Sequence, residues 1–213
     1  MIQSAVKKKI PRNTITRLSI YLRELTHLEQ EGKKSISSSE LAEATDLTDT
    51  QVRKDFSHFG QFGISGTGYE VLSLKGAIRS ILGKDRILDV ILIGAGNLGF
   101  ALLSYPSFKK QGFNIKVAFD IDTRKIGQKV SDIEINDIEN AKDFIKKEKI
   151  KIAILSVPAF SAQKITDTLV SSGIRCILNF APIVLKVPDE VLVSNVDLSG
   201  ELEILSYFIK SSE

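Results

Sequence analysis

The chain has 213 residues, of which 43% are hydrophobic, and its 29 basic and 26 acidic side chains give a net charge of +3. This composition excludes a disordered chain, and no apolar run approaches the roughly 20 residues that a membrane-spanning helix needs. The single cysteine, Cys176, excludes an internal disulfide, and the first residues lack the apolar core of a secretion signal. We therefore expect a globular cytoplasmic protein without a membrane partner.

Basic residues are concentrated in the N-terminal part of the chain. Residues 1–86 hold 14 Lys and Arg against 10 Asp and Glu, whereas the remaining residues hold 15 against 16. This bias favours a polyanion as the partner of the first part, although an ordinary solvated surface accounts for an excess of this size equally well.

The N-terminal part has the spacing of three short helices. The first ends near Gly32, and two segments with the N-terminal capping pattern, 37–40 and 48–51, predict a second helix to Ala44 and a third to about His58. A tight turn between the second and third helices is typical of a helix-turn-helix. The apolar stripe that predicts the first helix consists of Ile15, Leu18, Leu22, Leu25 and Leu28.

The third helix is the candidate recognition helix. Val52 and Phe56 predict its buried side, which leaves the polar residues at its start on the opposite face. Arg binds guanine through two donors, Gln binds adenine, and Lys or Thr holds a phosphate. The predicted DNA contacts are Thr50, Gln51, Arg53 and Lys54, with Arg12 as a further contact.

The segment after this helix is rich in glycine. Four glycines fall within residues 60–68, and Tyr69 begins a strand-like stretch. The pattern predicts a β-hairpin wing beside the recognition helix, with Ser65 and Thr67 at its tip as DNA contacts. Trihelical domains also serve for dimerisation or substrate binding, and spacing alone leaves those alternatives open.

From residue 87 the pattern changes to short β-branched strands that alternate with helices, which is typical of a parallel sheet covered on both faces. The predicted strands are 87–93, 115–119, 151–157 and 174–180, and the predicted helices are 97–104, 138–149, 161–171 and 200–210. The predicted fold class is α/β, with a winged helix-turn-helix domain at 1–84, a Rossmann domain with a doubly wound parallel sheet at 85–198, and a C-terminal helix at 199–213.

Residues 94–99 match the dinucleotide-binding pattern G-x-G-x-x-G between a predicted strand and a predicted helix. Asp120, at the end of the next predicted strand, is placed to accept hydrogen bonds from the adenine ribose and to repel a 2′-phosphate. This favours NAD(H), although Arg124 lies nearby, and another adenine nucleotide or coenzyme A stays open as an alternative ligand. The predicted cofactor contacts are Gly94, Ala95, Gly96, Asn97, Leu98, Gly99, Asp120, Ile121, Ser156, Val157 and Pro158.

A binding site for NAD(H) also suggests a dehydrogenase, but the residues for catalysis are missing. Both histidines, His27 and His58, fall in the helical part, so the Rossmann part lacks the commonest proton shuttle. Tyr105 and Lys109 have Tyr-x-x-x-Lys spacing, but Pro106 breaks the helical turn that would bring them together. We therefore expect that the protein is not an enzyme and has neither catalytic residues nor a bound metal. An NAD-dependent oxidoreductase stays open as an alternative.

The predicted last helix, 200–210, is too short and too apolar on one side to stand alone in water. It must pack either against a second subunit or against its own chain.

The whole chain resembles the redox-sensing transcriptional repressor Rex family. The resemblance lies in the combination and order of several stretches. These are residues 51–55, 59–69, 94–99, 179–182 and 196–198.

The resemblance implies a homodimer with exchanged C-terminal helices. It also implies binding to palindromic operator DNA when NADH is scarce, release when NADH binds, and competition by NAD+ without release. By position, Arg53 and Lys54 resemble the DNA-contacting pair. The cofactor residues that the resemblance implies are Asp120 on the ribose, Tyr105 near the nicotinamide and Asp197 reaching in from the partner. Some members of the family carry arginine where this chain has Asn97. In those members the arginine can pair with the acidic residue at the position of Asp197, and with Asn97 this chain cannot form that ion pair.

Overall fold

The structure is a computed structural model that describes residues 10–60, 62 and 68–211. The chain divides into two compact units, with the boundary between Arg86 and Ile87. In the part of the chain that the structure describes, no helix is long and apolar enough to cross a membrane.

The N-terminal unit is mainly helical, and its helix starts follow the capping residues of the sequence. Ser37 accepts the backbone N–H of Glu40 while the Glu40 carboxylate accepts that of Ser37, which confirms the predicted capping box. Thr48 caps the next helix through the backbone N–H of Gln51. The elements are α1 (Arg12–Gln30), β1 (Ser35–Ile36), α2 (Ser38–Ala44), α3 (Asp49–Ser57), β2 (Tyr69–Glu70) and α4 (Val71–Ile81).

The short strand β2 has a partner that was not predicted. β2 pairs antiparallel with β1, which precedes α2. The predicted wing tip, with Ser65 and Thr67, lies outside the described residues. Helix α4 was not predicted, although its buried Val71, Leu74 and Ile78 have helical spacing and pack into the same core as α1.

The C-terminal unit contains a seven-stranded sheet in the order β5-β6-β4-β3-β7-β8-β9. Its strands pair in parallel except β5, which is antiparallel to β6. The elements are β3 (Leu88–Ile93), α5 (Asn97–Leu103), α6 (Ser107–Lys110), β4 (Phe113–Asp120), β5 (Lys129–Val130), β6 (Ile133–Asp137), a 3-10 turn (Ile138–Asn140), α7 (Ala141–Glu148), β7 (Ile152–Leu155), α8 (Ala159–Ser172), β8 (Cys176–Asn179), β9 (Leu192–Asn195) and α9 (Leu198–Ser211).

The central strand β3 is buried on both faces and explains the apolar run that predicted it. Ile91 and Ile93 belong to one core cluster, whereas Val90 and Leu92 belong to the cluster on the other face. The doubly wound sheet is therefore confirmed. The strands that the sequence analysis missed, β5, β6 and β9, are short or alternate apolar with polar residues, so they lack the continuous apolar run of a central strand.

The strand order places a crevice at the carboxyl ends of β3 and β7. The chain leaves β3 toward β4 and β6 on one side, then continues with β7 and β8 on the other. Open parallel sheets bind ligands where the strand order reverses in this way. Residues 94–99 follow β3, and Ser156 follows β7, so both lie at this end of the sheet.

Candidate functional site

The start of α3 presents three of the predicted DNA contacts to solvent. Thr50, Arg53 and Lys54 are exposed. Arg53 is oriented by its neighbours, because its Nη2 lies 2.5 Å from the Asp49 carboxylate and its Nε donates to Ser38 Oγ at 3.1 Å. An exposed guanidinium that is held by its neighbours on the first turns of the candidate recognition helix has the chemistry to bind a base edge or a phosphate.

The other predicted DNA contacts have different surroundings. Gln51 is half-buried and its Nε2 donates to Asp55 Oδ1 at 2.9 Å, so its amide is already engaged within the protein. Arg12 is exposed and is the first residue of α1. Ser65 and Thr67 lie outside the described residues.

Asp55 is a buried carboxylate that the sequence analysis missed. It lies on the core side of α3 with Val52 and Phe56, and it is fully inaccessible to solvent. Burial by itself would raise its pKa, but hydrogen bonds from Arg17 and Tyr21 outweigh burial and hold the pKa of Asp55 below its ordinary value. An acidic residue at an apolar helix position is the signal that marks it in the sequence.

The loop after β3 needs glycine for steric reasons at two positions. Gly94 has φ +94°, and a Cβ there would lie 2.5 Å from the carbonyl oxygen of Ser156. A Cβ on Gly99 would clash with the carbonyl oxygen of Gly94, which is the close packing of helix on strand that the motif requires. A Cβ on Gly96, by contrast, would meet nothing within 4 Å, so the fold leaves that position open.

The loop is held from both sides of the crevice. Ser156 Oγ donates to the Gly94 carbonyl at 2.8 Å, and the backbone N–H of Gly94 donates to Phe119 O at 2.8 Å. Asp120 Oδ2 accepts the backbone N–H of Ala95 at 2.7 Å. The structure thus brings together the glycine loop, the end of β4 and the residues after β7.

Asp120 is more enclosed than a ribose ligand at a strand end would need to be. It is 8% exposed; its Oδ1 accepts the backbone N–H of Asp122 at 2.8 Å, and its Oδ2 lies 3.2 Å from Lys125 Nζ as well as accepting from Ala95. Asp122 is more accessible and pairs with Arg124, whose hydrogen bond lowers the pKa of Asp122 to about 2. The neighbouring Ile121 is exposed and gives this edge an apolar surface.

A cavity of about 520 Å³ lies in the C-terminal unit between α5, the loop after β8 and the start of α9. Buried Asn179 shapes it, because its side chain donates to the carbonyls of Ala181 and Ile183 and to Asn195 Oδ1, and accepts the N–H of Ala181. The lining residues are Leu98, Phe180, Ala181, Pro182, Ile183, Val184, Asn195, Val196, Asp197, Leu198 and Ser199.

The other predicted cofactor residues differ in their exposure and in their partners. Asp197 is exposed at the start of α9, where its Oδ1 accepts the backbone N–H of Gly200 at 3.0 Å. Tyr105 is exposed between α5 and α6, and its ring packs edge-on against Phe108. Among the other predicted residues, Asn97 and Pro158 are exposed and Val157 is half-buried. Within residues 10–60, 62 and 68–211, no group of three or more His, Cys, Asp or Glu is placed to hold a metal.

A curated relative covers nearly all of both units. The redox-sensing transcriptional repressor Rex of Pelotomaculum thermopropionicum is 46% identical over 205 residues, which is 96% of this chain and 96% of the relative. This chain belongs to the Rex family. Its members are named as transcriptional repressors, so this Rex-family chain is a repressor and not an enzyme.

Solved Rex-family structures share the same fold. A crystal structure of RSP in complex with β-NAD+ and operator DNA matches with a TM-score of 0.93 and 45% identity, and covers 96% of this chain and 94% of RSP. A structure of RSP in complex with β-NADH matches with a TM-score of 0.86, 43% identity and 96% coverage of each chain. The predicted winged-helix and Rossmann fold class of this Rex-family chain is thereby confirmed.

Two family models match separate parts of this Rex-family chain. The model described as "Putative DNA-binding protein N-terminus" matches residues 9–57, which contain α1 to α3. The model described as "CoA binding domain" matches residues 85–183, which contain the glycine loop and most of the sheet. The second match begins close to the boundary between the helical unit and the unit with the parallel sheet in this Rex-family chain.

Proposed function

We infer that this chain is an NADH-responsive transcriptional repressor that binds operator DNA through its N-terminal unit and NAD(H) through its C-terminal unit. The observation that carries this inference is the similarity, across both units, to RSP solved with β-NAD+ and operator DNA and also with β-NADH. A repressor acts where its operators are, and we therefore propose the cytoplasm as its location.

On the DNA side, we propose that α3 enters the major groove and that Arg53 and Lys54 make the principal contacts. Their exposure, and the ordering of Arg53 by Asp49 and Ser38, support this role. Thr50, Gln51 and Arg12 are proposed as further contacts. Ser65 and Thr67 are proposed as wing contacts on sequence grounds alone.

On the cofactor side, we propose that the pyrophosphate lies against the backbone of residues 94–99. The open space at Gly96 supports this position, because there a Cβ would have no protein neighbour within 4 Å. Asp120 and Ile121 are proposed at the adenosine end, although the enclosed Asp120 carboxylate acts at least partly by holding the loop. Ser156, Val157, Pro158 and Tyr105 are proposed toward the nicotinamide end of the crevice.

We propose that the protein is a homodimer whose α9 helices, within residues 199–213, are exchanged between subunits. No described residue of α9 is buried, and its large apolar side chains are more than half exposed, which supports a partner as their cover. Asp197 would then be brought to the partner's nicotinamide site. The exposed apolar residues of α9 are Leu198, Leu202, Ile204, Leu205, Tyr207, Phe208 and Ile209.

The exchange gives cofactor and DNA a physical connection. Two recognition helices must stand about 34–36 Å apart to read two half-sites of a palindrome, so a small rotation of one subunit against the other weakens binding. Changing the ratio of the DNA-binding form to the released form of the dimer from 99:1 to 1:99 requires that NADH bind the released form more tightly by about 5.5 kcal/mol in total. Each of two NADH sites then contributes about 2.7 kcal/mol. By linkage, operator DNA must weaken NADH binding by the same total.

Coenzyme A is the second candidate ligand, because the C-terminal unit matches the family model described as "CoA binding domain". Coenzyme A and NAD(H) share an adenosine and a pyrophosphate, so the glycine loop alone does not separate them.

The test is fluorescence anisotropy on a palindromic duplex that the wild-type protein selects from random-sequence DNA. NADH, NAD+, NADPH and coenzyme A are added in turn to the preformed complex. We expect NADH alone to release the duplex and NAD+ to block that release. Release by coenzyme A but not by NADH would identify a different ligand, and a duplex undisturbed by saturating NADH would refute the sensor function.

A further inference from the structure

The N-terminal unit holds one fully buried carboxylate among its described residues, Asp55 on α3. A charge at a core position is strongly unfavourable unless it is paired and hydrogen-bonded, so the surrounding residues must supply partners for this carboxylate. Its helix neighbours Val52 and Phe56 are apolar and also buried. Their apolar contacts would hold α3 on the core without a charge.

Asp55 receives hydrogen bonds from four side chains. Thr14 Oγ1 donates to Oδ1 at 3.1 Å, and Tyr21 Oη donates to Oδ2 at 2.9 Å. Arg17 donates with two nitrogens, Nε to Oδ2 at 2.5 Å and Nη2 to Oδ1 at 2.7 Å. Gln51 Nε2 completes the set at 2.9 Å from Oδ1. Both oxygens are therefore engaged from fixed directions.

Three of these donors come from one face of α1. Thr14, Arg17 and Tyr21 follow one another at steps of three and four residues, so they line the same side of that helix. The two-pronged bond between Arg17 and Asp55 is planar and directional, whereas apolar contacts allow one helix to turn or slide against another. The network consequently fixes the rotation of α3 about its own axis relative to α1.

That rotation decides where the DNA-facing side chains point. Residues 53 and 55 are separated by about 200° around a helix of 3.6 residues per turn. Asp55 faces the core, and Arg53, two residues before it, faces solvent with 64% of its side chain exposed. Anchoring the carboxylate on one side thus sets the direction of the guanidinium on the other.

We propose that Asp55 and Arg17 are positioning residues for DNA recognition: their buried ion pair sets the orientation of α3, and discrimination between operator and other DNA depends on it. Gln51 and Thr14 assist by holding Asp55 Oδ1. This inference rests on the proposed DNA-binding function and adds to it the group that orients the reading side chains.

The decisive variant is Arg17→Lys, which keeps the charge but has no second nitrogen for the two-pronged bond. Binding to a scrambled duplex depends mainly on net positive charge and is expected to stay at the wild-type level. Binding to the duplex selected by the wild-type protein is expected to weaken about tenfold, because the base contacts lose their alignment. The measured quantity is the ratio of the two affinities, determined by anisotropy in the full chain.

The control for lost stability is Leu74→Ala. Leu74 is buried on α4 and makes none of the hydrogen bonds to Asp55, so its truncation is expected to lower the melting temperature while those bonds stay in place. The affinity ratio of this variant is expected to equal that of the wild type at a temperature where both are folded. Thr14→Val, which removes one donor without changing charge or size, is the milder second variant, with an expected loss of about threefold in the ratio.

A double variant separates orientation from general damage. Because the orientation of α3 acts in part through Arg53, Arg17→Lys is expected to change the affinity ratio less in an Arg53→Ala background than in the wild-type background. The proposal is overturned if folded Arg17→Lys and Thr14→Val keep the wild-type ratio, or if Leu74→Ala loses as much as they do. A wild-type protein that selects no sequence would instead refute DNA recognition itself, together with this inference.

Discussion

The two units each contain a buried aspartate at their candidate site, and the two carboxylates are satisfied in different ways. Asp55 in the N-terminal unit is bound by side chains from α1 and α3. Asp120 in the C-terminal unit is bound mainly by backbone N–H groups, those of Ala95 and Asp122, with Lys125 beside it. One site is therefore organised by side chains and the other by the path of the main chain.

This difference determines which substitutions each site tolerates. A site organised by side chains fails when one donor or acceptor is removed, because the remaining charge stays buried without its partner. A site organised by the backbone tolerates many side-chain changes but fails when a Cβ is added where the chain needs glycine. Substitutions of both kinds can therefore break or sharpen this contrast.

The largest effect is expected for Asp55→Ala. Removing the carboxylate leaves Arg17 without its partner and should lower the free energy of unfolding of the N-terminal unit by about 3–5 kcal/mol. Hydrogen exchange of the α3 amides in the full chain measures this loss, while NADH affinity is expected to stay unchanged. Lys33→Met, which breaks the exposed Lys33–Glu40 pair, is the control and should have little effect. Equal protection of α3 in wild type and Asp55→Ala would show that side chains do not organise this site.

The next effect concerns the backbone of the glycine loop. Gly94→Ala places a Cβ 2.5 Å from the Ser156 carbonyl at a positive φ, so NADH affinity should fall by about 100-fold or more as the loop is displaced. Titration calorimetry measures the affinity, and hydrogen exchange of β3 is expected to increase in parallel.

Gly96→Ala is the matched partner of that variant. Its Cβ would meet no protein atom within 4 Å, so β3 should keep its wild-type protection while NADH still binds more weakly. Unchanged NADH affinity in Gly96→Ala would mean that the pyrophosphate does not lie against this residue.

Asp120→Asn and Asp122→Asn compare a loop-holding role with direct ligand contact. The Asp120→Asn substitution removes one of the two oxygen acceptors for backbone N–H groups. We therefore expect NADH affinity to fall about tenfold and the Ala95 amide to exchange its hydrogen faster. Asp122→Asn leaves those bonds intact and should change NADH affinity by less than about threefold. A larger loss from Asp122→Asn would make Asp122 the ribose ligand and leave Asp120 with a structural role only.

The contrast also explains which features were visible in the sequence. The position of the glycine loop between a strand and a helix could be predicted because a backbone that needs glycine requires it at fixed spacing. The central strands could be predicted because strands that are buried on both faces contain a continuous apolar run. The pairing of β2 with β1 was missed, since the partner strand, Ser35–Ile36, is only two residues long. Asp55 was missed because its role depends on Thr14, Arg17 and Tyr21, which lie 34 to 41 residues earlier.

The smallest effect is a pH dependence of the same buried ion pair. The pKa of Asp55 in the folded protein lies below its ordinary value, so the ionised carboxylate stabilises the fold above about pH 4, and this contribution is lost as pH falls through the folded pKa. Asp55→Asn has no such group. The difference in unfolding free energy between wild type and Asp55→Asn should therefore be constant above about pH 5 and shrink by about 1 kcal/mol toward pH 3. Glu40, whose pKa its hydrogen bond with Lys33 lowers to about 2, titrates in both proteins and cancels in the difference. A difference that stays constant down to pH 3 would mean that the charge on Asp55 contributes nothing and that its shape alone holds α3.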